Sequence, residues 1–173
     1  LTMTPALNYF GTANITVTVS DGILTDLENF ELTINPVNDA PGLTVIDNQS
    51  MDEDGSLTLT LLSSDVDGGD PFYSASSDEP NVSAAVDGNQ LTLTSALNWN
   101  GSATITVEVD DGSGGSDSGS FELTVNPVND APIATDAVIA PSVPTLNDDL
   151  VLSYDYFDVD EDNESGTTIT WFK

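Results

Sequence analysis

At 173 residues the chain has room for one or two ordinary domains, and it carries 30 acids against a single base, Lys173, for a net charge of −29. Nothing in it can neutralise phosphate, so nucleic acid is excluded as a partner, and an anionic membrane surface with it. Cysteine and histidine are both absent, which removes disulfides, thiol chemistry and histidine-based triads.

Residues 1–4 (LTMT) and 15–19 (ITVTV) alternate apolar residues with Thr, the period-2 pattern of a half-buried strand. Leu7 to Gly11 reads as a corner and Ser20-Asp21-Gly22 as a turn. Phe30 to Ile34 predicts a strand that runs into Asn35-Pro36-Val37-Asn38-Asp39-Ala40-Pro41, where Pro36, lacking an N–H, ends sheet pairing. That heptapeptide returns intact at Asn126 to Pro132, 91 positions on. Residues 1–22 also match residues 91–112 at 14 of 22 positions, with one residue inserted further on. Self-similarity at a fixed period marks a repeat architecture. The expected organisation is the C-terminal half of a unit at 1–41, a complete unit at 42–132, and the N-terminal part of a following unit at 133–173. The chain reads as a window on a longer array, and from Leu1 onward it shows no signal peptide from which targeting can be read.

The complete unit predicts seven short strands: Leu43 to Ile46, Leu57 to Leu62, Phe72 to Ala75, Val82 to Val86, Gln90 to Thr94, Ala103 to Val109 and Ser120 to Val125. Acidic turns separate them, above all Asp52-Glu53-Asp54-Gly55 and Asp65-Val66-Asp67-Gly68-Gly69-Asp70. No helical periodicity is present. Short alternating strands with turns every 8–12 residues predict an all-β chain of tandem immunoglobulin-like β-sandwich repeats. In the third unit Leu150 to Phe157 and Thr167 to Phe172 read as strands around the acid-dense loop 158–164, with Trp171 placed as a core residue. No apolar run approaches the length of a membrane span.

The acids number 22 Asp and 8 Glu, a bias toward the residue that suits turns and oxygen-rich cation loops. In a D-x-D turn two carboxylates can face one point, and two glycines behind them let the backbone wrap. Asp-Gly turns also cap strands with no ion involved, which is the reading for Asp87-Gly88. The loop at 158–164 is not an EF-hand, because its sixth and twelfth positions are Asn163 and Ile169. An enzyme is not expected. Tyr9 and Trp99 occupy equivalent corners, where packing under the loop outweighs stacking on a sugar.

These motifs resemble cadherin-like tandem repeats of large bacterial surface proteins and adhesins. Glu53 in MDEDG is similar to the cadherin glutamate near the first strand, and Asp65-Val66-Asp67-Gly68 to its D-x-D loop. Asp111, with Asp21 its counterpart, resembles the A-x-D turn, and Asn129-Asp130 the inter-repeat linker. The corner Leu97-Asn98-Trp99-Asn100 has amides for both acids, and Pro127 replaces the first linker Asp. The resemblance implies Ca2+ at the joints between repeats. The first joint would use Asn38, Asp39, Asp65, Asp67 and Asp111; the second would use Glu53, Asn129, Asp130, Asp158 and Asp160, with Asp70 and Asp162 as further candidates. No calcium is expected at Asp21. The implied role is a calcium-stiffened extracellular structural repeat of a bacterial surface or secreted protein, its partners being calcium and neighbouring repeats. The alternative is a module that binds polysaccharide or a like repeat on another cell.

Overall fold

The structure, a computed structural model, describes residues 2–170; the strand expected over 167–172 falls partly outside that range, and Trp171 wholly so. Thirteen strands and no helix are found among the described residues. In chain order they are β1 (Gly11–Ser20), β2 (Thr25–Ile34), β3 (Gly42–Leu43), β4 (Gln49–Asp52), β5 (Ser56–Thr60), β6 (Ser63–Ser64) and β7 (Phe72–Ser77). After these come β8 (Val82–Asp87), β9 (Gln90–Ser95), β10 (Gly101–Asp110), β11 (Ser116–Asn126), β12 (Ile133–Ala140) and β13 (Val151–Phe157).

The central strands form an immunoglobulin-like sandwich. One sheet has the order β4-β11-β10-β7 and the other β5-β9-β8, with β3 and β6 paired separately. Alternation builds the core. Along β10 the side chains of Ala103, Ile105, Val107 and Val109 are buried while Thr104, Thr106 and Glu108 face out. Ala103, Ile105 and Val107 meet Leu91 and Leu93 of β9 and Phe121, Leu123 and Val125 of β11 in one cluster. Each such aliphatic side chain taken fully from water contributes about 1.5–3 kcal/mol.

The strand expected over 43–46 is shorter than its alternation suggests. The β3–β6 ladder ends at Leu43, with one further bond from the Thr44 N–H to the Leu62 carbonyl at 2.9 Å. The chain goes on to the four-stranded sheet, where β4 pairs in parallel with β11 from Leu123–Gln49 to Asn126–Asp52. Gln49 and Ser50 conceal β4 in the sequence. Its single anchor is Met51, buried in the core, and its backbone closes the edge of the sheet. That crossing brings the turn after β4 against the end of β11, where the Glu53 N–H donates to the Asn126 carbonyl at 2.9 Å.

The β1–β2 hairpin reproduces β10–β11. Ile15 faces Phe30 as Ile105 faces Phe121, and Gly11 faces Ile34 as Gly101 faces Val125. The extra residue of the second copy lies in the hairpin loop, which runs from Ser20 to Thr25 in one and from Asp110 to Ser116 in the other. Burial is what differs. Val17 and Val19 are 36% and 61% exposed, whereas Val107 and Val109 are fully buried. Residues 2–4, expected as a strand, form none, and neither do 167–170. Beyond the second heptapeptide, β12 and β13 pair antiparallel with a register shift between Thr135 and Val138.

Candidate metal centres

Each D-x-D loop folds on itself. Asp65 Oδ1 accepts the Asp67 N–H at 2.8 Å, and Gly68 and Gly69 follow with φ of 74° and 118°, a wrap that side chains resist. The Asp158-Val159-Asp160 loop repeats the arrangement, with Asp158 Oδ1 taking the Asp160 N–H at 2.9 Å. In both, the second aspartate reaches back to the linker. The Asp39 N–H donates to Asp67 Oδ2, and the Asp130 N–H to Asp160 Oδ2, each at 2.6 Å. The two joints are therefore stitched by the same bond, from the linker Asp backbone to the D-x-D loop of the next segment.

At the first joint Asp111 adds a second stitch. Its Oδ1 caps the β10–β11 loop by accepting the Ser113 and Gly115 N–H groups at 2.6 and 3.0 Å, and its Oδ2 takes the Asn38 amide at 2.6 Å. The Asn38 bond and the loop N–H groups hold the Asp111 carboxyl below the ordinary 3.8. Ala40 lies so close to Gly115 that a Cβ there would stand 2.8 Å from the Ala40 Cα, so glycine is what lets the linker rest on this loop. Asp65, Asp70 and Asp111 line a cavity of about 120 Å³ beside Pro41. Asp21, equivalent to Asp111, caps its own loop through the Ile23 and Leu24 N–H groups at 2.9 and 2.8 Å.

The second joint is electrostatically strained. Glu53 is 4% exposed, its Oε1 accepts the Val128 N–H at 2.7 Å, and its buried Oε2 has no partner. Asp130 Oδ2 is likewise buried and unpartnered. Burial, then the charges of Asp54, Asp160, Glu53 and Asp158, push the Asp130 carboxyl above 3.8. Asp54 was not among the residues singled out in the sequence. It follows Glu53 in a left-handed conformation (φ 59°), with Oδ1 accepting the Asn98 N–H of the corner at 2.8 Å. Its signal was the third acid of the D-E-D-G turn. Asn129 is exposed and turns its amide to the Asp130 carbonyl at 2.9 Å. Asp162 lines the trough over β12–β13, its carbonyl taking the Tyr156 hydroxyl at 3.1 Å.

As they stand, no three acidic side chains among the described residues are gathered closely enough to hold a metal ion. The donors are carboxylate, amide and carbonyl oxygens, a set that suits a hard cation such as calcium, and the two orphaned buried oxygens fit a missing positive charge. At the corner, Trp99 packs over Gly101, where a Cβ would meet ring carbon Cζ2 at 2.9 Å. Its ring also lies against the core cluster.

A family model described as bacterial Ig domain matches residues 38–124, just over half of the sequence. The chain belongs to the bacterial Ig domain family. The matched span takes in the whole sandwich from the first linker almost to the end of β11. No curated protein matches the chain. Sixteen chains of solved structures do, one of them titled "Structure of surface layer protein SbsC, domains 4-9". That match is 18% identical with a TM-score of 0.41, and it covers 87% of this chain and 24% of the other. So distant a likeness carries no argument about function, and this bacterial Ig chain spans about a quarter of the protein it matches.

Proposed function

We propose that this chain is a calcium-stiffened structural segment of an extracellular bacterial surface or secreted protein, with calcium bound at the joints between its sandwiches. The observation that carries the reading is the second joint, where buried Glu53 and linker Asp130 each leave a carboxylate oxygen without a partner beside Asp158 and Asp160. A chain with one base in 173 residues has no internal cation to put there. Glu53 belongs to the central sandwich, Asp130 to the linker and the D-x-D pair to the next segment, so an ion shared among them makes bending at Asn129-Asp130 costly. The first joint offers Asn38, Asp39, Asp65, Asp67 and Asp111 for the same purpose. Membership in the bacterial Ig domain family supports a load-bearing module.

Calorimetric titration with calcium after chelator treatment, paired with small-angle scattering, tests this. The reading requires saturable binding with a dissociation constant on the order of 10⁻⁴–10⁻³ M, as in extracellular calcium modules. It also requires a longer particle in calcium than in chelator. Binding without lengthening would place the ions within sandwiches and refute the strut.

A further inference from the structure

The β1–β2 hairpin presents the same inward face as β10–β11, yet it pairs with no further strand among the described residues. Ala13, Ile15, Val17, Val19, Phe30 and Leu32 are each the same residue as their counterpart in β10–β11, in the same register. All of those counterparts but Val109 pack in one core with Leu57 and Leu59 of β5, Leu91 and Leu93 of β9, and Ala84 and Val86 of β8. Residues 2–4 match Thr92 to Thr94 of β9, the strand that runs between β5 and β8. They form no strand, and Met3, at the place of fully buried Leu93, is 46% exposed.

The edges of the hairpin repeat as well. β4 runs along β11 from Leu123 to Asn126, while the matching edge of β2, from Leu32 onward, has no partner strand among the described residues. An unpaired edge is a template for another strand. In the central sandwich the Glu122 N–H donates to Asn48 Oδ1 at 3.0 Å and the Thr104 N–H to Asp78 Oδ1 at 2.6 Å. Glu31 and Asn14 are the matching pair, and their N–H groups have no such acceptor among the described residues. Asp117 Oδ2 accepts the Leu43 N–H at 2.8 Å, and Asp26 puts the same acid at the same place. One inward position departs. Glu28 stands where Gly119 does, and a Cβ at Gly119 would lie 3.4 Å from Leu43 Cδ2, so the occupant's counterpart of Leu43 is the side chain that must give way.

We infer that β1–β2 is a docking surface whose occupant is a repeat segment built like residues 42–90 of this chain, supplied by an adjoining repeat of the same protein. Such a segment lays strands like β5 and β8 on either side of residues 2–4, covers the apolar face, and pairs a strand like β4 along the edge that starts at Leu32. An open apolar face alone does not say what covers it; here the second copy of the hairpin does, with its core, its edge strand and its outward amides all accounted for. No cation takes part, so this surface stands apart from the calcium reading.

The test compares the 173-residue chain with an extended chain in which residues 42–90 are fused directly ahead of Leu1, the same junction that joins Gln90 to Leu91. Amide hydrogen exchange is followed at Glu31 and Asn14, with Val107 reporting that the central sandwich is folded. Both amides should exchange readily in the unaltered chain and slow by more than about tenfold in the extended one. Leu61 is 1% exposed in the central core, and Leu61→Asp made in the added segment alone should abolish the protection while Val107 keeps its own. Equal exchange of Glu31 and Asn14 in the two chains, with Val107 protected, overturns the inference. Protection that survives Leu61→Asp overturns it too, because the apolar sheet would then not be what docks. Sedimentation of the unaltered chain as a dimer with these two amides protected gives the surface to a second copy, and likewise overturns it.

Discussion

Replacing Glu53 by glutamine should change the sign of its effect with the buffer. In the cation-free chain the Glu53 side chain makes one good contact, the 2.7 Å bond from the Val128 N–H, and leaves Oε2 buried with no partner. Glutamine keeps an acceptor for Val128 and removes the buried charge. An unpartnered buried polar group costs about 1–3 kcal/mol, and more when charged. Because the glutamine NH2 stands unpartnered where Oε2 stood, only the excess due to charge is regained, on the order of 1 kcal/mol. For a sandwich of about 90 residues each kcal/mol moves the melting point by roughly 4–8 °C. In chelator, Glu53→Gln should therefore melt at least about 4 °C above the unaltered chain. Calcium reverses the order. At about 100 times its dissociation constant a ligand of the folded state adds about 2.7 kcal/mol, a rise on the order of 10 °C that the variant should largely lose. Differential scanning calorimetry in EDTA and in excess calcium reads both arms. A variant less stable than the unaltered chain in both buffers would show that Glu53 serves only as the acceptor for Val128, and the argument from its orphaned oxygen would fall.

Three further outcomes follow from the packing. Leu123→Ala, at a fully buried position, should cost about 2–5 kcal/mol. Leu32→Ala, at the equivalent but only half-buried position of β2, should cost less than about 1 kcal/mol by denaturant unfolding. Gly101→Ala places a Cβ 2.9 Å from the Trp99 ring at φ 153° and should destabilise by about 1–3 kcal/mol. At Gly11 the nearest Tyr9 atom stands at 3.7 Å, so thermal melts of Gly11→Ala should show the smaller loss. Asp78 takes the Thr104 N–H at 2.6 Å, which holds its carboxyl below 3.8. A folded value below the unfolded one means stabilisation that is present above the unfolded value and lost as pH falls through the folded one. Carboxyl NMR should place Asp78 below an ordinary aspartate, and Asp78→Asn should flatten the acid limb of stability.

The 91-residue period, the all-β class and the hairpin pattern were legible in the residues, because alternation and turn chemistry are local and each strand carries its own signal. The turn capped by Asp21 and Asp111 is also local, and its inserted residue shows directly in the change of offset. Tertiary structure decided the rest. The parallel strand β4 has one buried anchor, Met51, and exists because the edge of β11 needs a partner; no pattern within Gln49–Asp52 announces that. Val17 and Val107 occupy the same place in nearly the same strand, yet one is exposed and the other fully buried, since burial depends on what lies across the sheet. The acids of the joints were individually visible. Which of them approach the linker was not, because Glu53 reaches Val128 only when β4 crosses to β11, and Asp160 reaches Asp130 only when the linker backbone bonds to the next loop. Charge is written residue by residue along a chain, but its mutual repulsion depends on distance through space, and only the fold sets that distance.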